Sequence, residues 1–199
     1  MGNKRYKNGF EVTLHWDKIK DPLSWRKPRM VFVNSMGDLL HEKVPLDFIQ
    51  KCFEVMNKKT EHVFQILTKN AKRLEKINSK VTWTENIWMG VSIENNDYNW
   101  RSDYLRNTNA KVKFISFEPL LASVNKCNLN EIDWVIVGGE SGPKARPMKK
   151  EWVIEIRNKC VEKDIPFFFK QWGGFHAKAN GRELDGEVWD QRPVYEVAR

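Results

Sequence analysis

The chain has 199 residues, a mass of 23.6 kDa and a net charge of +8, from 34 Lys+Arg against 26 Asp+Glu. With 41% hydrophobic and 30% charged residues and a mean hydropathy of -0.62, it has the composition of a folded globular chain rather than a disordered one. The length excludes more than two small domains, no apolar run approaches the roughly 18 residues of a membrane helix, and MGNKRYKNGFE lacks the apolar core of a secretory signal.

Taken in chain order, short apolar runs alternate with amphipathic stretches. Phe10–Leu14 (FEVTL) alternates as a strand does. Met30–Asn34 (MVFVN), announced by Pro28, reads as a buried strand. Pro45 opens a helix from Leu46 to Asn57 with Phe48, Ile49, Cys52, Phe53 and Met56 on one face. Val63–Thr68 is a strand, Ala71–Ile77 a short helix, Ile87–Ile93 a strand and Asn96–Arg106 a helix. Val112–Phe117 and Trp134–Val137 are strands. Lys150–Lys163 is a helix with Trp152, Ile156 and Cys160 inward, and Pro166–Phe169 is the last strand of the series. Asp185-Gly186 inside GRELDGEVWDQRP signals a tight hairpin in the tail, residues 175–199.

Strands alternating with helices predict βαβ units and a parallel sheet. The expected architecture is α/β: one domain over 1–199, an incomplete (β/α) barrel of about seven strands, closed by the tail hairpin. A complete barrel is typically about 250 residues, so the length falls short by one unit.

The charge favours an anionic partner, a phosphorylated small molecule or a nucleic acid. The three cysteines, Cys52, Cys127 and Cys160, are far apart and form no CxxC pair, so they are expected as buried thiols in a reducing cytoplasm, with no metal-ligand set. The nine tryptophans are spread along the chain in a way that suits packing. His41-Glu42 has no second histidine at zinc-protease spacing. His15, His62 and His176 belong to no constellation, and no nucleophile–histidine arrangement is visible.

Each strand ends in polar or glycine-rich residues, and in parallel α/β folds ligands bind there. The ends are Asn34-Ser35-Met36-Gly37-Asp38, Thr68-Lys69, Ser92-Ile93-Glu94, Glu118-Pro119, Gly138-Gly139-Glu140-Ser141-Gly142 and Lys170-Gln171-Trp172. Two carboxylates, Glu94 and Glu118, and two lysines, Lys69 and Lys170, form the expected catalytic set. Asn34, Ser35, Gly138, Gly139, Glu140 and Ser141 form the expected cofactor-binding set. Two glycines after a strand let the backbone turn or approach a ligand, and Glu140 can accept from an ammonium or hydroxyl group. The alternative for GGESG is a tight turn with positive φ. Lys144, Arg146, Lys149 and Lys150 follow, either to meet an anion or as a solvated helix start.

RYKNGFEVTLH, KPRMVFVNSMGDLLHEKVP, VFQILTKNAKRL, IWMGVSIEN, FISFEPLL, WVIVGGESGPKARPM and PFFFKQWGG together resemble the uncharacterised phage and prophage family known as gp thirty-seven / gp sixty-eight. The resemblance extends over essentially the whole chain and implies a radical-SAM-like (β/α) barrel. It implies that family members carry a preceding strand and a C-x6-C-x2-C loop for a [4Fe-4S] cluster, and bind S-adenosylmethionine. In radical-SAM proteins a GGE segment contacts the amino group of the methionine moiety, and Gly138, Gly139 and Glu140 carry the same letters. This chain starts downstream of the cysteine segment, so it is expected to hold no cofactor itself and to leave a barrel that a partner chain completes.

Three readings follow. The chain is a radical-SAM-like barrel cut off before its cluster motif; or a cluster-independent barrel enzyme or binder for an anionic substrate through Lys69, Lys170, Glu94 and Glu118; or a basic nucleic-acid-binding accessory protein. All place it in the cytoplasm and off the membrane.

Overall fold

Six apolar runs pair in parallel and in chain order: β1 (Met30–Val33), β2 (Val63–Thr68), β3 (Ile87–Ser92), β4 (Val112–Phe117), β5 (Trp134–Gly138) and β6 (Phe167–Gln171). The computed structural model describes residues 9, 11–35, 37–176 and 179–195. The sheet is curled, a half-barrel. The seventh expected strand is corrected: Phe10 lies outside the described residues, and Glu11–Leu14 form no strand. Alternation alone does not make a strand where no neighbour supplies the ladder hydrogen bonds.

Four helices, α1 (Leu46–Lys58), α2 (Ala71–Asn78), α3 (Trp100–Arg106) and α4 (Lys150–Glu162), make crossovers. Sequential parallel strands with right-handed crossovers place them on one face. α1 buries Phe48, Ile49, Phe53, Val55 and Met56, with Cys52 half-buried. α4 buries Val153, Ile156 and Cys160, with Trp152 less covered than the periodicity predicts. The stretch expected as one helix over Asn96–Arg106 is a 3-10 turn, Asn96–Tyr98, followed by α3. Asn95 and Asn99 explain the break, since Asn95 accepts from the Asp97 N–H in a turn that competes with helix. Among the described residues no helix is long and apolar enough to cross a membrane.

Alternation along each strand sorts the side chains. Phe64, Ile66, Met89, Val91, Ile115, Phe117, Val135, Val137, Phe167 and Phe169 join the large core under the helices. On the concave face, Val63, Trp88, Phe114 and Trp134 form a second cluster, with Leu67, Ile136, Phe168 and Tyr195 against it. Trp134 is its hub, with ring centroids 5.6 Å from Phe114, 6.0 Å from Trp88 and 6.1 Å from Phe168. The tail holds this side. Asp185-Gly186 turns a hairpin between Glu183–Leu184 and Glu187–Val188, as the sequence predicts, with φ of 55° and 82°. Beyond it, residues 189–191 run antiparallel along β6, where Phe169 N donates to Trp189 O and Gln191 N to Phe167 O. Trp134 Nε1 donates to Gln191 O and the Tyr195 hydroxyl to Thr60 O. The opposite edge has no such cover: among the described residues no strand pairs with the outer side of β1, and Met30 and Phe32 are exposed there.

Gly90 faces Phe114 across the β3–β4 ladder, and a Cβ there would lie 2.3 Å from the Phe114 ring. Gly90→Ala is expected to lower stability by about 1–3 kcal/mol through overpacking. Urea unfolding checks this, and an unchanged midpoint would refute it.

Candidate functional site

The concave face changes character along the strands. Towards the carboxyl ends, the aromatic cluster gives way to Ser92 and Ser116, paired in register and both buried. One step beyond the ladder stand Lys69, Glu94, Glu118 and, on β6, Lys170. The structure brings these four expected catalytic residues together as two ion pairs. Lys69 Nζ lies 2.5 Å from Glu94 Oε1, and Lys170 Nζ lies 2.9 Å from Glu118 Oε1.

Each carboxylate has a second donor, and the two donors differ in burial. Glu94 Oε2 accepts from Arg101 Nη1 at 2.9 Å, and the same nitrogen donates to Ser92 O at 2.6 Å. Side-chain exposure is 9% for Glu94, 9% for Arg101 and 58% for Lys69. Glu118 Oε1 accepts from Gln171 Nε2 at 2.9 Å, and Gln171 is buried while Lys170 is 51% exposed. Each carboxylate is therefore fixed by an inner partner and carries a lysine that faces solvent. In both pairs the lysine is the exposed member and the carboxylate the covered one, so the lysine can turn into solvent while the carboxylate keeps its inner donor.

Local sequence explains the placement. A β-bulge at Val137/Gly138 shifts the register so that Gln171 lies opposite Gly138. A Cβ on Gly138 would come within 3.0 Å of Glu118 Oε1 and 3.2 Å of Gln171 Nε2. Gly138 thus leaves room for groups on β4 and β6 to meet across β5. At Gly139 a Cβ would meet the Trp172 carbonyl, and at Gly173 the Glu140 carbonyl. The GGESG loop is bound to the QWGG loop by Gly174 N to Glu140 O and Gly142 N to Gly174 O, both 2.9 Å, with Ser141 bridged to Gly174. Gly138 makes room for the two side chains and Gly139 for the facing loop, and the positive φ falls later, at Gly142 (131°). Glu140 is occupied as well: it accepts from Arg146 Nε, Nη2 and backbone N, all at 2.8 Å.

The expected cofactor-binding set is divided. Asn34 and Ser35 line a cleft of about 360 Å³ with Phe32, Asp38, Lys69 and Ser92. Gly138 ends β5 and residues 139–141 follow it, with three strands, β2 to β4, standing between β1 and β5. Met36 lies outside the described residues. Asp38 was visible only as a strand-end polar group. Its carboxylate accepts from Thr68 Oγ1 (2.8 Å), Lys69 N (3.1 Å) and Leu40 N (2.8 Å), and so locks the loops after β1 and β2 around that cleft. Asn70 continues the lock, capping α2 through Arg73 N and donating to Leu40 O. Arg101 was missed. Its signal is an arginine four residues before Leu105 on the buried face of α3.

The residues present do not fit an iron–sulfur cluster. Cys52 lies on α1, Cys127 before β5 and Cys160 on α4, and burial pushes their thiols up to about 12, 11 and 12 respectively. Among the described residues no group of three or more His, Cys, Asp or Glu side chains is placed to hold a metal ion.

The fold and rim define an α/β protein with a curled parallel sheet and a charged face at its strand ends. The model of the family described as "Protein of unknown function (DUF5131)" matches residues 1–193, and the chain belongs to that family. No curated protein and no solved structure matches it.

Two outcomes follow from the site's ionisation. The Arg146 side chain, then its backbone N–H, holds Glu140 down to about 2. A carboxyl lowered on folding contributes stability above its unfolded value, and loses that contribution as pH falls through the folded one. An NMR titration of Glu140 should therefore show a midpoint near 2, and Arg146→Met should return it towards the ordinary carboxylate range. Separately, all three thiols should resist iodoacetamide at about pH 8 in the native protein and react after urea unfolding. Rapid native labelling of any one of them would contradict the burial.

Proposed function

We propose that the chain is the substrate-binding part of a phage-family (β/α) barrel of radical-SAM-like type, which takes a charged substrate at the carboxyl ends of β2 to β6 without holding a cluster of its own. The observation that carries this reading is the doubled arrangement of the rim. Glu94 and Glu118 are each held by a buried donor, and each also binds a half-exposed lysine. An anion that draws Lys69 or Lys170 away leaves both carboxylates hydrogen-bonded, so no buried charge is stranded. A substrate ammonium or hydroxyl can then occupy the oxygen that the lysine releases. The rim accepts both signs of charge, which suits a substrate carrying an anionic group beside a donor.

Glu94, Glu118, Lys69 and Lys170 are the residues to which we assign chemistry. The cleft at Asn34 and Ser35 takes the part of the ligand nearest β1. The open outer side of β1, with Met30 and Phe32 exposed beside the cleft, supports completion of the barrel by a further βα unit or a partner chain.

Inorganic pyrophosphate is a suitable probe of the anion subsite. In a ¹H–¹⁵N NMR titration the shifts should concentrate at Lys69–Asn70, Glu94 and Lys170–Trp172, and the Lys69→Met/Lys170→Met double variant should lose them. Shifts scattered over the surface lysines, or unchanged in the double variant, would overturn the reading.

A further inference from the structure

Beside Glu94, the rim continues into an aromatic surface. Tyr98 and Trp100 flank the start of α3 and are 38% and 36% exposed. The Arg101 guanidinium that holds Glu94 also lies 4.2 Å from the Tyr98 ring centroid and 5.8 Å from that of Trp100. Lys72, on the first turn of α2, places Nζ 5.6 Å from the Trp100 centroid. Two half-exposed rings are thus fixed by a buried cation on one side and met by a lysine at the surface.

We infer that this surface stacks the bases of a single-stranded nucleic acid whose backbone runs past Lys72 and Lys69 towards the rim. The inference rests on the rim reading above and names the class of its substrate. Three arguments carry it. Aromatic faces beside cations are the elements that bind unpaired bases irrespective of sequence, the rings by stacking and the cations by following phosphates. Over residues 69–78 and 94–106 the cations Lys69, Lys72, Arg73, Lys76, Arg101 and Arg106 outnumber the carboxylates Glu75, Glu94, Asp97 and Asp103, and the whole chain carries +8. Arg101 is common to both regions: one buried guanidinium fixes the rim carboxylate and supports the rings, so the rings and the rim are held at a fixed spacing.

The test uses the intact chain and fluorescence anisotropy with three labelled probes: an oligothymidine of about 12 nucleotides, an abasic oligomer of equal length and charge, and thymidine monophosphate. The oligothymidine should bind about tenfold more tightly than the abasic oligomer. Tyr98→Ala and Trp100→Ala should each weaken it about fivefold or more, leaving the abasic probe unaffected. Trp100→Phe should retain most of the affinity, which separates stacking from misfolding, and Lys72→Met should reduce the salt slope by about 0.7. Equal binding of the two oligomers, or unchanged affinity in both Tyr98→Ala and Trp100→Ala, would overturn the inference. Monophosphate binding as tight as the oligomer's would overturn it in favour of a free nucleotide. The pyrophosphate titration reports on the rim alone. Oligomer binding that needs Tyr98 and Trp100 but survives Lys69→Met/Lys170→Met leaves the stacking surface standing and removes the rim from it.

Discussion

Parallel register is the constraint on which the rest of this protein depends. Once β1 to β6 pair in order, alternate residues of the strands share the concave face, and the buried side chains there must fit one another level by level. Gln65, Trp88 and Val112 fall on one level, and Leu67, Gly90, Phe114 and Trp134 on the next. Large rings on one level require a gap opposite, which Gly90 provides for Phe114. Fully burying a side chain such as Phe114 contributes about 1.5–3 kcal/mol, so the aromatic layer stabilises the curl at the same time as it fills it. Serines replace rings on the level above, and the polar rim begins where the filling ends.

The rim then inherits its geometry from the ladder. Glu94 and Glu118 each stand two residues beyond the paired serines Ser92 and Ser116 and therefore continue the concave face. What differs is how each is held. Glu94 is bound by a helix residue, Arg101, whereas Glu118 is bound by a strand residue, Gln171, that reaches it only because β5 has a glycine at the crossing. A larger residue at position 138 would push on both Glu118 and Gln171. Both solutions put a buried donor inside and a half-exposed lysine outside.

Much of this was legible in the sequence because fully covered parallel strands must be continuous apolar runs, and Val63–Thr68 and Val112–Phe117 are predicted with the bounds they have. The last strand was misplaced by its own composition. Pro166–Phe169 is the apolar part, but the strand runs on to Gln171, past a bulge at Lys170, and the polarity of these two residues marks the rim rather than the strand's end. FEVTL shows the converse error, since local alternation carries no information about whether a partner strand exists. The four rim residues could be named because strand ends are visible in one dimension. Their pairing could not, because Glu118 and Lys170 are 52 residues apart and meet only through a bulge. The glycines of GGESG read equally as a ligand approach or a tight turn, and sequence could not show that a Cβ on Gly138 would meet the Glu118 and Gln171 side chains and one on Gly139 the Trp172 carbonyl.

The two edges of the sheet settle where the fold can grow. Residues 189–191 lie antiparallel along β6 and take up its outer hydrogen bonds, so a strand cannot be added there without displacing the tail that also supports Trp134. β1 has no such neighbour among the described residues. Arg29 O accepts from Val63 N, so the alternating groups of Met30 and Phe32 point away from β2. Any element that extends this sheet must therefore do so at β1, where it would cover Met30 and Phe32. Phe32 also lines the cleft that holds Asn34, Ser35 and Lys69. An element added at β1 would therefore also wall the cleft, and the pair Lys69–Glu94 stands nearer to that edge than Lys170–Glu118 does. The more remote pair is fixed by the chain's own loops, while the nearer one borders the only side of the described sheet left open.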